Sequence, residues 1–545
     1  MTQFRTAFGE TIFKAKYAQG PDDTWDNVSE RQVEDVCGTR WGTLPALMSA
    51  DEQKQLKQYI KEMKFIPGGR YLYYAGRDFK AYNNCYLLRS EEDTREDWAN
   101  TAWKSMSCLT TGGGIGNDYS RLRPKGKTLR RTGGTSSGPV PLMMAINEIG
   151  RNVMQGGSRR SAIYASLNWA HDDIQDFMTA KNWSPEIAAM KVKDFNASAP
   201  LDMTNISVNY DDASLVNGIE NNEIFKQNCR QAMMNGEPGF SFNFGNKQNE
   251  TLRNACTEVT SEDDSDVCNL GSINMANISS LEDFKSVVAL ASKFLVCGTM
   301  RADLPYAKVY KVREKNRRLG LGLMGIHEWL LKRNYGYEVT AELHKWLAAW
   351  KSDGEQAANE HCDRFHLSHP KGYRAIAPTG SIGILAGTTT GIEPLFAVAY
   401  KRRFLTEGTK WKYQFVVDGT AQTLITEYGV DPTKIESALD LSTQYEKRIK
   451  FQADVQDYVD MSISSTINLP AWGSDGNNEG QVQQFTDTLA KYAQRLRGFT
   501  CYPDGSRGGQ PLTPVPYAEA IANVGTTFEE TDICDISGKG GTCGA

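Results

Sequence analysis

Apolar positions near the start of the chain recur at helical intervals. Between Asp51 and Lys64, Leu56, Ile60 and Met63 share one stripe while lysines, glutamines and acids fill the others, which predicts an amphipathic helix. Phe65-Ile66-Pro67-Gly68-Gly69 stops it, because proline cannot extend the ladder and glycine frees the turn. Asn83 to Leu88 is a short β-like run, and Arg95 to Leu109 returns to a helix. Ile206-Ser207-Val208-Asn209 and Ser241-Phe242-Asn243-Phe244 alternate like strands. Glu282 to Met300, Leu343 to Asn359 and residues 483–497 read as helices, and Ser462 to Pro470 as a strand. Periodicity gives the α/β class and no internal repeat.

Composition narrows the function classes. The 545 residues can bury a large core and hold more than one domain. Charged residues make up 23% and hydrophobic ones 40%, as in an ordinary globular protein. A net charge of −5 leaves no broad basic field, so no nucleic-acid partner is expected. No apolar run approaches a membrane span and the first residues carry no signal-peptide core, so no membrane partner is expected either. Eleven cysteines without a secretion signal indicate a reducing, cytoplasmic compartment. No Cys-x-x-Cys pair occurs, which argues against a zinc ribbon or a thioredoxin-like motif. The six histidines, at 171, 327, 344, 361, 366 and 369, form no metal set, so no metal site is expected.

The stretch Asn254-Ala255-Cys256-Thr257-Glu258 puts an amide, a thiol and a carboxylate at every second position. If it is extended, all three share one face, where the carboxylate could act as base beside a reactive thiol. The same residues also suit a buried cysteine beside a polar strand edge. Several loops mix Gly, Ser or Thr and Arg: Arg130 to Pro139, Gln155 to Arg160 and Ala377 to Gly383. Backbone amides and hydroxyls of this kind suit phosphate, and their repetition favours an anionic ligand over ordinary turns. The chain ends in a glycine-rich tail with Cys534 and Cys543, which either reaches a disulfide elsewhere or carries its thiols incidentally.

Taken together the motifs resemble the catalytic subunit of ribonucleotide reductase. The resemblance rests on Asn83-Asn84-Cys85, Gly112 to Gly116, Ser120 to Pro124, Thr132-Gly133-Gly134, Gln155 to Arg159, Asn254 to Glu258, Cys268 to Asn274, Asn316 to Gly325, Pro378 to Ile382 and Gly391 to Phe396, in that order. It implies a ten-stranded α/β barrel of two five-stranded halves with a central finger loop carrying Cys256. It also implies three regions: an N-terminal helical region at 1–65, the barrel at 66–525 and a flexible redox tail at 526–545. Cys256 matches the thiyl-radical residue, Glu258 the base on the 3′ hydroxyl and Asn254 the residue that orients substrate. Cys85 and Cys268 match the reducing pair, and Cys534 and Cys543 the tail pair that re-reduces it, although eight residues separate the tail cysteines, more than is usual. Asn84, Gly113, Gly114 and the loop Pro378-Thr379-Gly380-Ser381-Ile382 match substrate contacts. Asp93, Arg123, Gln155 and Arg159 match effector contacts.

The resemblance further implies a ribonucleotide substrate, a deoxynucleotide or ATP effector and a thioredoxin-like reductant. Relatives that import their radical from a partner subunit carry two adjacent tyrosines where this chain has Gly498-Phe499. Glycyl-radical relatives carry a Cys-x-x-Cys zinc site that is missing here. What remains is the class that uses adenosylcobalamin, the partner-dependent class being the alternative. The first 65 residues are too short for the ATP-binding cone of many relatives. The interval from Cys85 to Cys256 has no room for the insertion of monomeric relatives, which implies a homodimer.

Overall fold

The computed structural model describes residues 4–153, 161–194, 197–406, 410–506, 512–524 and 526–529. The predicted helices form close to their expected bounds. The first is Ala50–Lys61, opened by a capping box in which Ser49 and Glu52 satisfy each other's backbone donors. Arg95–Thr110, Leu281–Arg301, Ala341–Arg364 and Val482–Ala493 follow; the last three bury an apolar stripe, while Arg95–Thr110 buries Thr101, Lys104 and Ser105 beside Cys108 and Leu109.

The strands close into a barrel. Cys85–Arg89, Gly114–Asp118, Ile163–Asn168, Thr204–Tyr210 and Gly239–Phe242 pair in sequence order, all parallel. The second half starts with Asp266–Asn274, which pairs parallel with Leu319–Met324. Leu321 then bridges Arg374, Ile376 bridges Ile463, and Thr466–Leu469 pairs with Gly498–Pro503, again all parallel. The halves join antiparallel at both seams, Cys85–Arg89 on Asp266–Asn274 and Gly498–Pro503 on Gly239–Phe242. This is the expected arrangement of two five-stranded halves. Its tenth member, around 374–376, is held by single bridges only.

The expected boundary at residue 65 does not separate two cores. Trp25 is fully buried, donates from Nε1 to the Ile60 carbonyl at 2.9 Å, and belongs to one apolar cluster that continues into the barrel helices. Phe65–Pro67 adds a short antiparallel strand to Gly271–Ile273 of the barrel. The other boundary also shifts. Ala399–Thr406, Lys410–Val417, Leu512–Pro514 and Thr527–Glu529 form a separate four-stranded sheet, so the stretch expected as a flexible tail from 526 begins as a sheet edge. No helix among the described residues is long and apolar enough to cross a membrane.

Candidate active site

Leu252–Arg253 and Thr260–Ser261 pair antiparallel, and residues 254–259 form the tip of this hairpin inside the barrel. The tip is a turn rather than the extended run that the alternating side chains suggested. Asn254 makes it one: its carbonyl accepts from Thr257 N at 3.0 Å and its Oδ1 from Val259 N at 2.9 Å, with Thr257 at φ +70°. The finger is wedged between the halves. A Cβ on Gly116 would lie 1.8 Å from the Arg253 carbonyl, so only glycine admits the finger on that side. On the other side Ser462 N donates to the Glu258 carbonyl at 2.8 Å. Arg253 anchors the base from full burial, donating from Nη2 to Asn243 Oδ1 at 2.7 Å and to the Arg497 carbonyl at 3.1 Å.

Cys85 and Cys268 come from distant parts of the sequence and meet as direct register partners across the antiparallel seam. Residues facing each other in such a pair have Cα atoms about 4.5–5.5 Å apart, inside the range a disulfide spans. Asn254 Nδ2 donates to Cys85 Sγ at 3.0 Å, and the Cys85 thiol points to Glu258 Oε1 at 3.8 Å. Burial pushes both thiols well above their usual range, and the nearby carboxylates, Glu258 for Cys85 and Asp266 for Cys268, add to it. They are therefore held as S–H groups, able to donate hydrogen rather than to attack as thiolates. Cys256 is partly exposed where Cys85 and Cys268 are buried.

Glu258 is buried, and desolvation raises its carboxyl to about 7, against the opposing pull of its hydrogen bonds from Asn254 and Cys85. Its Oε2 has no hydrogen-bond partner. A carboxyl balanced near neutrality with one unsatisfied oxygen suits a general base awaiting a substrate hydroxyl.

These groups open onto one cavity. Asn84, Cys85, Gly114, Asn254, Cys256 and Glu258 line it together with all five residues of Pro378 to Ile382. Asn84 Oδ1 is a second buried atom there without a partner. Cys268 sits behind this lining, and Gly112 takes the place expected for Gly113, whose Cβ would fall 2.3 Å from the Tyr86 ring. Sequence reasoning missed Tyr17, which follows the N-terminal helix Ala7–Lys16 and lines the cavity; no motif marks it. It took Gly68-Gly69 only as a helix stop, yet both glycines also line the wall.

The expected effector residues lie elsewhere. Asp93, at φ +49°, accepts from Arg123 N and Nε at 3.0 and 2.6 Å, so the two are paired with each other. Gln155, Arg159, Cys534 and Cys543 lie outside the described residues.

A barrel of two parallel halves, with one thiol on a finger at its centre and a pair of thiols facing each other across the seam, defines a thiol-bearing oxidoreductase. Residues 83–203, 202–345 and 371–502 match the family described as ribonucleotide reductase, barrel domain, and the chain belongs to that family. It is 27% identical over 526 residues to a vitamin B12-dependent ribonucleoside-diphosphate reductase of Mycobacterium tuberculosis, covering 86% of this chain and 73% of that one. A protein of the same description from Thermoplasma acidophilum is 27% identical over 522 residues, covering 84% and 66%. The fold matches a crystal structure of a B12-dependent (class II) ribonucleotide reductase with a TM-score of 0.72 at 17% identity, over 96% of this chain and 94% of the other.

Proposed function

We propose that this protein is an adenosylcobalamin-dependent ribonucleotide reductase that makes 2′-deoxyribonucleotides for DNA synthesis. The observation that carries the reading is the convergence of Cys256, Glu258, Asn254 and Cys85 at one cavity, with Cys268 facing Cys85 across the seam behind its lining. Cys256, as a thiyl radical, takes the 3′ hydrogen of the ribose. Glu258 accepts the 3′ hydroxyl proton, and Asn254 orients the substrate while bracing Cys85. The 2′ hydroxyl leaves as water, and Cys85 and Cys268 give up two hydrogens, one to that water and one to the 2′ carbon, and close as a disulfide. Glu258 returns its proton, and the 3′ carbon recovers its hydrogen from Cys256, which is left as the thiyl radical again. Cys534 and Cys543 then re-reduce the pair by exchange and pass the oxidation to a thioredoxin-like protein. Asn84, Gly114 and Pro378 to Ile382 hold the nucleotide.

The site suits the cofactor. Gly114, Ala255 and Ala162 cluster beside Cys256: a Cβ on Gly114 would lie 3.0 Å from that of Ala255 and 3.5 Å from that of Ala162. This patch of backbone and methyl groups offers a large flat group close access to the one partly exposed thiol of the three. Adenosylcobalamin supplies, when bound, homolytic cleavage of its cobalt–carbon bond as the source of a radical. Residues 114, 162 and 255 would form its contact surface. The strand beside the finger agrees: a Cβ at Gly498 would be 3.8 Å from Thr257 Oγ1, and Phe499 is buried, so the chain passes the finger tip there without a phenol.

The reading includes a homodimer in the cytoplasm and a deoxynucleotide or ATP effector, with Asp93, Arg123, Gln155 and Arg159 as its contacts. A single-turnover experiment tests the chemistry. Pre-reduced protein, given a ribonucleotide and adenosylcobalamin without external reductant, should form deoxynucleotide while a Cys85–Cys268 disulfide appears in its peptide map. Product without that disulfide would remove the pair from the mechanism.

A further inference from the structure

A nucleoside di- or triphosphate brings several negative charges into the cavity. Among the described residues that line it, none is Lys, Arg or His. Thr379 and Ser381 offer hydroxyls and the loop offers amides, all neutral. The whole chain is itself negative, at −5. A cation is therefore wanted at the end of the cavity formed by residues 378–382.

The first helix, Ala7–Lys16, ends there. Its backbone is pressed onto the helix that follows the loop: a Cβ on Gly9 would lie 2.8 Å from the Leu385 carbonyl and 2.9 Å from that of Ile384. Arg5 pins the approach, donating to the Gly387 carbonyl at 3.2 Å and pairing with buried Glu328 at 2.7 Å. The residue after the helix, Tyr17, is buried and forms part of the cavity wall. The last residue of the helix, Lys16, donates from Nζ to Ser381 Oγ at 3.1 Å. Its helix neighbours have other partners: Lys14 pairs with Glu10 at 2.7 Å. Lys16 has no carboxylate in ion-pair range among the described residues, and its ammonium rests on a neutral hydroxyl that itself lines the cavity.

We propose that Lys16 binds the terminal phosphate of the nucleotide, so that the first helix, through Lys16 and Tyr17, is part of the substrate site. This rests on the ribonucleotide reading given above. An ammonium has three donors on a flexible stem, so Lys16 keeps its bond to Ser381 while taking a phosphate oxygen. The helix packing fixes where that stem starts, and the charge therefore acts on the polyphosphate end of the ligand and leaves the ribose chemistry alone.

Steady-state kinetics of the full-length enzyme and its Lys16→Gln, Lys16→Glu and Lys16→Arg variants test this. Lys16→Gln should raise KM for the nucleotide roughly tenfold, with kcat within about threefold of wild type, as expected when one charge-assisted contact is lost from binding alone. Lys16→Glu should raise KM further, and Lys16→Arg should restore most of the loss. Inorganic tripolyphosphate should inhibit the wild type competitively and Lys16→Gln more weakly. If the wild type reduces ribonucleotides and Lys16→Gln and Lys16→Glu keep its KM, the inference is wrong and the function stands. If the wild type reduces none, the functional reading falls. Calorimetric binding of tripolyphosphate then decides the inference by itself: equal affinity for wild type and Lys16→Gln overturns it, and weaker binding by Lys16→Gln upholds it.

Discussion

Glu258 joins stability and chemistry in one side chain. Its carboxyl sits at about 7 in the folded chain against 4.5 unperturbed, because burial disfavours the charge. The folded state thus holds this proton more tightly than the unfolded chain. The resulting stabilisation is fully present below pH 4.5 and is lost as pH rises through about 7. Glu258→Gln cannot ionise. It should be more stable than wild type above neutrality, by up to about 3 kcal/mol, with the advantage fading toward pH 4.5. Denaturant titrations at several pH values measure this, and a pH-independent difference would contradict the assignment. Activity should move the opposite way, rising with pH through about 7 in wild type and nearly absent in Glu258→Gln. Cys256→Ala should lower product formation below about one-thousandth while leaving nucleotide binding and folding intact. Asn254, Cys256 and Glu258 were legible because one short stretch carries all three. The facing of Cys85 and Cys268 is a fact of register, which no spacing in the sequence encodes, and only the family resemblance could couple them. Tyr17 had no signal at all.

The finger shows how much an element depends on what surrounds it. Alternating side chains pointed to an extended strand, yet Asn254 closes a turn that spacing alone does not reveal. The fit also depends on a glycine in a neighbouring strand. Gly116→Ala would place a methyl against the Arg253 carbonyl, a backbone atom that cannot rotate away. The variant should lose at least about 3 kcal/mol of stability and displace the finger. Gly380→Ala, with no atom within 4 Å of its Cβ, should stay within about 1 kcal/mol of wild type. Equal stability of the two variants, in denaturant titrations, would show that the finger is not held against that strand. The long helices were legible because their apolar stripes are local. The bridge-held member near 374–376 and the four-stranded sheet were not, since their partners are distant in sequence and several of their segments are short.

At the scale of the whole molecule, the first helices are part of the barrel rather than an appendage. Their aromatic cluster of Phe4, Phe13 and Trp25 joins the main core, and Arg5 reaches buried Glu328. Deleting residues 1–49 should therefore give a chain that fails to unfold cooperatively, as read by calorimetry; a deletion variant with the wild-type transition would restore the boundary at residue 65. At the other end, Cys534→Ser or Cys543→Ser should stop repeated turnover with a thioredoxin system, and a small dithiol that reaches Cys85 and Cys268 should restore it. Normal turnover of both variants with the protein reductant would make the tail incidental.

Turnover of the purified protein with and without adenosylcobalamin tests the central claim most directly. In air, with only ribonucleotide, reductant and adenosylcobalamin added, the chain should form deoxynucleotide repeatedly, and omitting adenosylcobalamin should abolish it. Activity that ignores adenosylcobalamin but appears on adding a metal-containing small subunit would contradict the account and make this chain the partner of an imported radical.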